Sequence, residues 1–259
     1  MTGKTVGFIG GGRVAHIILG GLKKAGQMPA KVVVSDVSLD ALNRLRARYP
    51  EIQTVHNDNR PPASQELVFA GLHPPALPGC LGEIKGCLKP NAILISLAPK
   101  LSIAKLAGAL DGFDRIVRLI PNAPSIIGAG FNPLTFSRAL SEAEKVEMSA
   151  LVGALGKCPE VDEAKLEAYA IVTAMGPTYL WFQLHELQKI AESFGLSRRE
   201  AETGISEMVA GTGKSLFGSG VAAEEVMDLV PVKPLGDEEE KIKAAYHAKL
   251  EALYAKLKN

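Results

Sequence analysis

The run Gly10-Gly11-Gly12 constrains this chain more than any other feature. It follows the apolar stretch Val6-Gly7-Phe8-Ile9 and precedes Arg13-Val14-Ala15, where apolar residues begin to recur at helical spacing as far as about Ala25. A strand that turns into a helix through glycine opens a βαβ unit, and Gly10, Gly12 and Ala15 fit the form G-x-G-x-x-A. Each position has a physical task. Gly10 permits the tight turn, Gly12 lets a pyrophosphate approach the backbone, and Ala15 allows helix and strand to pack closely. The unsatisfied N–H groups at the helix start then face the phosphate charge. Gly10, Gly11, Gly12, Arg13, Val14 and Ala15 are therefore expected to hold the diphosphate of NAD or NADP.

Further along, short β-rich runs alternate with helical spacing. TVGFIG, KVVVSD, ELVFAGLH, AILISLA and RIVRLI are the strand candidates, and residues 13–25, 38–49, 76–88 and 102–110 are the helices between them. This alternation predicts an α/β fold, a parallel sheet with helices on both faces, over residues 1–162. Residues 141–156 should form an amphipathic helix with Ser141 as N-cap and Glu144 completing a capping box. From 163 to 259 the pattern is all helical. Gly176-Pro177 should break a long helix over 163–194, Ser197 should cap the next, and the terminal helix carries acids at its start and lysines at its end.

The second strand ends in Ser35-Asp36, where a carboxylate can accept hydrogen bonds from the adenosine ribose diol. Asp36 leans the choice toward NAD, since it would repel a 2′-phosphate, whereas Ser35, Ser38 and Arg44 could welcome one if Asp36 points away.

Composition narrows the function by exclusion. The chain has 259 residues, is 47% hydrophobic and carries a net charge of +1, so it can bury a large core and shows no bias toward nucleic acid. Aromatic content of 5% argues the same way. Cys80, Cys87 and Cys158 have no paired or metal-ligand spacing, which predicts idle thiols and no metal. The first strand begins at Thr5, leaving no room for a signal peptide, and no stretch reaches the roughly 18 apolar residues of a membrane span. Cytoplasm is the expected location. GTGKS at 211–215 lacks the preceding strand and glycine of a phosphate loop and sits inside a helix.

Four stretches together resemble pyrroline-5-carboxylate reductase, which reduces a cyclic imine to proline with NAD(P)H. GFIGGGRVAHIILGGL is similar to its opening fingerprint, RLIPNAPSIIGAG (118–130) to its Met-Pro-Asn-Thr-Pro segment, AMGPTYLWF (174–182) to its Ser-Gly-Ser-(Gly/Ser)-Pro-Ala-Tyr helix, and GLSRREA to the helix start that follows. The resemblance implies a Rossmann domain followed by an all-helical domain that dimerises, with the substrate lying at the nicotinamide. It implies that Asn59, or Asn57, touches the adenosine side, that Leu72, His73 and Pro74 follow the fourth strand, and that Ala98 and Asn122 border the nicotinamide.

Departures from the family pattern fall on the substrate side. Thr173, Ala174 and Met175 stand at the Ser-Gly-Ser positions, so Thr173, Met175 and Gly176 become the candidate substrate contacts. SLAPKLS replaces a small Ala-Gly-Val/Ile turn and brings in Lys100, while VPVKPLGDEEE (230–240) replaces a Ser-Pro-Gly-Gly-Thr-Thr loop whose threonine meets substrate. Thr173, Thr178 and Lys100 are the candidate catalytic residues. Thr173 could instead bond to its own helix, Thr178 could cap or pack, and Lys100 could anchor a carboxylate, donate a proton if desolvated, or be a solvated loop lysine. His185 reads as an interface residue. The readings left open are pyrroline-5-carboxylate reduction, reduction of another imine or a keto acid, and dinucleotide binding without catalysis.

Overall fold

A computed structural model describes residues 3–72 and 76–258. The five expected strands form as β1 (Thr5–Ile9), β2 (Lys31–Asp36), β4 (Leu67–Ala70), β5 (Ile93–Ser96) and β6 (Ile116–Leu119), with β3 (Gln53–His56) added at one edge. These six run parallel in the order β3-β2-β1-β4-β5-β6. Beyond β6 come β7 (Gly130–Phe131) and β8 (Leu134–Phe136); β8 closes the sheet antiparallel to β6, while β7 pairs with β9 (Gly156–Lys157). Successive side chains of one strand point to opposite faces. Phe8, Phe69, Ile95 and Val117 therefore join one core cluster, and their neighbours Ile9, Val68, Leu94 and Ile116 the other. Burial on both faces is why these strands read as unbroken apolar runs.

Helices α1 (Arg13–Lys24), α2 (Leu39–Arg48), α3 (Arg60–Ala63), α4 (Leu77–Ile84), α5 (Ile103–Ala109) and α6 (Glu142–Gly153) cover the sheet. Ser38 and Ser102 cap α2 and α5 by accepting from the amides of Ala41 and Lys105. On α1, Gly21 lies so near the 3₁₀ turn Ala123–Ile127 that an added Cβ would sit 2.4 Å from the Ser125 carbonyl oxygen. That contact brings the Pro-Asn segment alongside the glycine-loop helix.

After the 3₁₀ turn Glu163–Lys165 the chain forms α7 (Leu166–Tyr169) and a π-helical turn over Ala170–Ala174, and the expected break falls at Gly176-Pro177. Then follow α8 (Pro177–Ser193), α9 (Arg198–Gly218), α10 (Ala223–Met227), α11 (Glu239–Tyr246), a second π turn at His247–Glu251, and α12 (Ala252–Lys258). The chain divides into two compact units. One runs to Met175 and includes the C-terminal residues from Leu253, and the other spans Gly176–Ala252. In the second unit α8, α10 and α11 bury no side chain among the described residues, and α9 buries only Ala201.

The expected capping box forms at Ser141/Glu144, and the expected cap at Ser197 is completed by Glu200 into a second box. The Ser141 hydroxyl and amide, and the neighbouring Arg115, hold the Glu144 carboxyl down at about 2. A carboxyl lowered on folding stabilises above its unfolded value and ceases to do so as pH falls through its folded one. Glu144→Ala should therefore cost about 1 kcal/mol at pH 7, and in denaturant titrations its deficit against the parent should shrink as pH falls from about 4.5 toward about 2.

Candidate functional site

The strand order reverses between β1 and β4, and the crevice beyond the carboxyl ends of strands at such a point is where open α/β sheets bind ligands. Gly10 takes φ +98°, donates its N–H to the Ser35 carbonyl at 2.9 Å, and faces Gly71, whose carbonyl oxygen would lie 3.0 Å from an added Cβ. Gly12 is the N-cap of α1 and offers no side-chain cap, nor does the first turn carry an acid. A Cβ built on Gly12 would meet nothing within 4 Å. The amides at the start of α1 thus face open space, which suits an anion.

On the adenosine side, Asp36 is half-buried and each of its oxygens already accepts a backbone amide: Gly11 N–H on Oδ2 and Ser38 N–H on Oδ1, both at 2.7 Å. It ties the glycine loop to the end of β2. Buried Ser35 donates to Asn59 Oδ1 at 2.7 Å, and Asn59 Nδ2 in turn donates to Glu83 on α4 at 2.7 Å. Asn57 turns the chain after β3 at φ +53°. A cavity of about 700 Å³ beside the loop is lined by Gly11, Gly12, Arg13, His16, Ser38, Arg44 and Arg48, among others. His16 bonds Tyr49 at 2.8 Å and contacts Arg48; burial, then the Arg48 charge, lowers its pKa. Three guanidinium groups at one mouth favour a phosphate-bearing ligand. Loop, uncapped helix and carboxylate together fit a dinucleotide.

On the opposite side, Leu72 is half-buried after β4, and His73 and Pro74 lie outside the described residues. Ala98 is buried beyond β5. Asn122 follows β6 and is knit in on every side: its N–H donates to Asn132 Oδ1 at 2.9 Å, its Oδ1 accepts from Phe131 N–H at 3.1 Å, and its Nδ2 donates to the Thr173 carbonyl at 3.3 Å. The Pro-Asn segment and the helical turn that carries Thr173 are thereby joined. The Thr173 hydroxyl donates back to the Tyr169 carbonyl at 2.8 Å, so its proton is committed to its own helix. Met175 closes the π turn by donating its N–H to Ala170 O at 3.1 Å. Gly176 and Thr178 begin the second compact unit, where Thr178 and His185 are exposed.

Lys100 lies in the turn between β5 and α5 at φ +78°, a left-handed conformation that a side-chain-bearing residue adopts at a cost of about 1 kcal/mol. Its N–H donates to Glu167 Oε1 at 3.2 Å. Glu167 also accepts from Arg118 at 2.7 Å, while Glu163 accepts from Arg118 at 3.1 Å and from the Ile103 amide at 2.7 Å. Burial works to raise the Glu167 pKa, but the Arg118 bond and charge outweigh it and leave the carboxyl below its usual value. Arg118 is 2% exposed, and its Nε, like the Ser96 hydroxyl oxygen, is buried without a partner. Sequence reasoning missed this strut. The signal was present: an arginine inside RIVRLI, a strand buried on both faces, needs acidic partners.

Among the described residues no group of His, Cys, Asp and Glu could hold a metal ion, and no helix is long and apolar enough to cross a membrane. Burial, followed by the charge of Glu83, pushes the Cys80 thiol up to about 12, so it stays inert.

A Rossmann domain with an open diphosphate cradle and a helical domain after it defines the class of NAD(P)-dependent oxidoreductases. A family model described as NADP oxidoreductase, coenzyme F420-dependent, matches residues 5–100. Pyrroline-5-carboxylate reductase 3 of Bos taurus is 29% identical over 217 residues, 84% of this chain and 70% of that protein. Among solved structures, the pyrroline carboxylate reductase of Plasmodium falciparum, with NADP bound, superposes with a TM-score of 0.82 at 20% identity, covering 100% of this chain and 98% of that one. A pyrroline-5-carboxylate reductase from Coxiella burnetii gives a TM-score of 0.69 at 27% identity, covering 98% and 94%. The chain is thus similar, over most of its length, to pyrroline-5-carboxylate reductases.

The two outer loop glycines should behave differently on substitution. Gly12→Val should fold with an unchanged Tm, because its Cβ meets no atom, yet weaken NADH and NADPH binding at least tenfold in calorimetry by blocking the backbone's approach to phosphate. Gly10→Val should lower Tm, since both its φ and the Gly71 carbonyl oppose a side chain.

Proposed function

We propose that this chain reduces a small cyclic imine with NADH or NADPH, and that the imine is pyrroline-5-carboxylate and the product proline. The observation that carries this reading is the bond from Asn122 to the Thr173 carbonyl. It joins the two segments most specific to the resemblance at the edge of the sheet where a nicotinamide ring would lie.

NADH or NADPH bound in the crevice would supply the two-electron hydride chemistry that converts the imine carbon–nitrogen double bond to a single bond, with the electron pair going to nitrogen. An imine that arrives protonated needs no proton from the protein, which suits a site without an acid–base pair. The protein's part is positioning. Amides of the Gly10–Ala15 loop would hold the diphosphate, Asp36 with Ser35 and Asn59 would border the adenosine ribose, and Leu72, Ala98 and Asn122 would frame the nicotinamide. Thr173 and Met175 would lie toward the substrate. With its proton on Tyr169 O, the Thr173 hydroxyl can still accept a hydrogen bond.

The second unit leaves Trp181 at 52%, Phe182 at 69% and Phe217 at 87% exposure, with nearly no core of its own. Apolar area of that extent on a helical unit supports assembly, and the occupant we assign is a second copy of this chain. Cytoplasm is the location this reading carries. In sedimentation velocity at micromolar concentration the chain should run as a dimer or larger; a monomer would contradict the assignment.

One other reading has specific support. Met175 replaces a small hydroxyl residue, and residues 230–240 contain no threonine, so a different imine or a keto acid would suit the altered substrate side. A panel of imines and 2-oxo acids assayed with both nucleotides separates the two. The expected result is proline formation from pyrroline-5-carboxylate as the fastest reaction, with Thr173→Val raising KM severalfold and leaving nucleotide affinity unchanged. Binding of nucleotide with no turnover on the whole panel would defeat both readings.

A further inference from the structure

We propose that Lys100 is the cationic anchor for a carboxylate on the substrate, set in place by the buried Arg118–Glu167 strut. This rests on the reading that a small imine is reduced beyond the strand ends.

Three observations converge on Lys100. The first is conformational. A lysine at φ +78° is an uncommon occupant of a turn where glycine would be unstrained, and such outliers persist only when the surroundings hold them. The surroundings do so here. The Lys100 amide is bonded to Glu167 and the Ile103 amide to Glu163, and both carboxylates are gripped by one guanidinium that is 2% exposed. A single buried arginine on β6 thus fixes, through the two carboxylates, the middle of the turn that follows β5 and the first residue of α5.

The second is electrostatic. Among the described residues the Lys100 ammonium makes no hydrogen bond or ion pair, although Glu163 and Glu167 belong to the same network. Each of those carboxylates meets Arg118 and a backbone amide through its Oε1, and the exposed Lys100 ammonium is paired with neither among the described residues.

The third is positional. Lys100 follows the carboxyl end of β5, on the side of the sheet where ligands lie, and the same strand end carries buried Ala98. The hydroxyl of Thr173, the other candidate donor, has its proton on the Tyr169 carbonyl. An ammonium answers that deficit for one ligand chemistry in particular, a small imine or carbonyl compound bearing a carboxylate. The side chain binds and orients; it takes no part in the hydride step.

The test compares two imines that differ only in the carboxylate, pyrroline-5-carboxylate and 1-pyrroline, across the parent, Lys100→Gly and Lys100→Arg. Lys100→Gly should raise Tm by about 2–4 °C as the left-handed strain is relieved. It should raise KM for pyrroline-5-carboxylate at least about tenfold and leave KM for 1-pyrroline and the nucleotide dissociation constants within about twofold of the parent, as expected for loss of one charge-assisted contact. Lys100→Arg should recover most of the loss. An unchanged ratio of the two KM values in Lys100→Gly would overturn the proposal, as would a parent that handles both imines equally well; in either case imine reduction itself would stand. A parent that reduces neither imine overturns the functional reading and this inference with it.

Discussion

Among the described residues, the amides at the start of α1 have no side-chain acceptor. Gly12 supplies no side chain, the first turn supplies no carboxylate, and Arg13 adds a positive charge where a helix N-terminus would ordinarily be balanced by a negative one. A helix end left this way needs water or an anion. The rest of the first unit is arranged around that deficit. Gly10 bends at an angle closed to other residues, Asp36 clamps the loop from β2, and the sheet reverses its order beside it.

A second constraint holds the far side. Arg118 spends a strand position buried on both faces on a charge, which is tolerable only because Glu163 and Glu167 meet it. Those carboxylates also take the amides of the turn after β5, so the sheet, that turn and the first helical segment of the C-terminal region form one network. Asn122 makes a parallel link from β6 to the Thr173 turn. Substrate-side geometry in this chain is therefore set by buried polar bonds, whereas the cofactor side is set by backbone shape.

That difference explains what could be read from the sequence. Glycine bends, apolar runs and serine caps act locally, so the β1 loop, five strands of the parallel sheet, the box at Ser141, the cap at Ser197 and the break at Pro177 were all legible. β3 was not, because Gln53–His56 is an edge strand whose exposed ends leave no apolar run. The short strands β7 and β9 are two residues long and exist only through their pairing with each other. The strut joins residues 45 and 49 positions apart, and no local pattern reports such a partnership. Lys100 was visible as a departure from a small-residue turn, but its left-handed backbone and its tie to Glu167 come from the fold alone.

A calorimetric titration of the full chain with NADH and with NADPH tests the central claim most directly. An α1 N-terminus shaped for diphosphate predicts saturable one-to-one binding of at least one of the two, competed by the oxidised form. No binding of either nucleotide would contradict the account at its root.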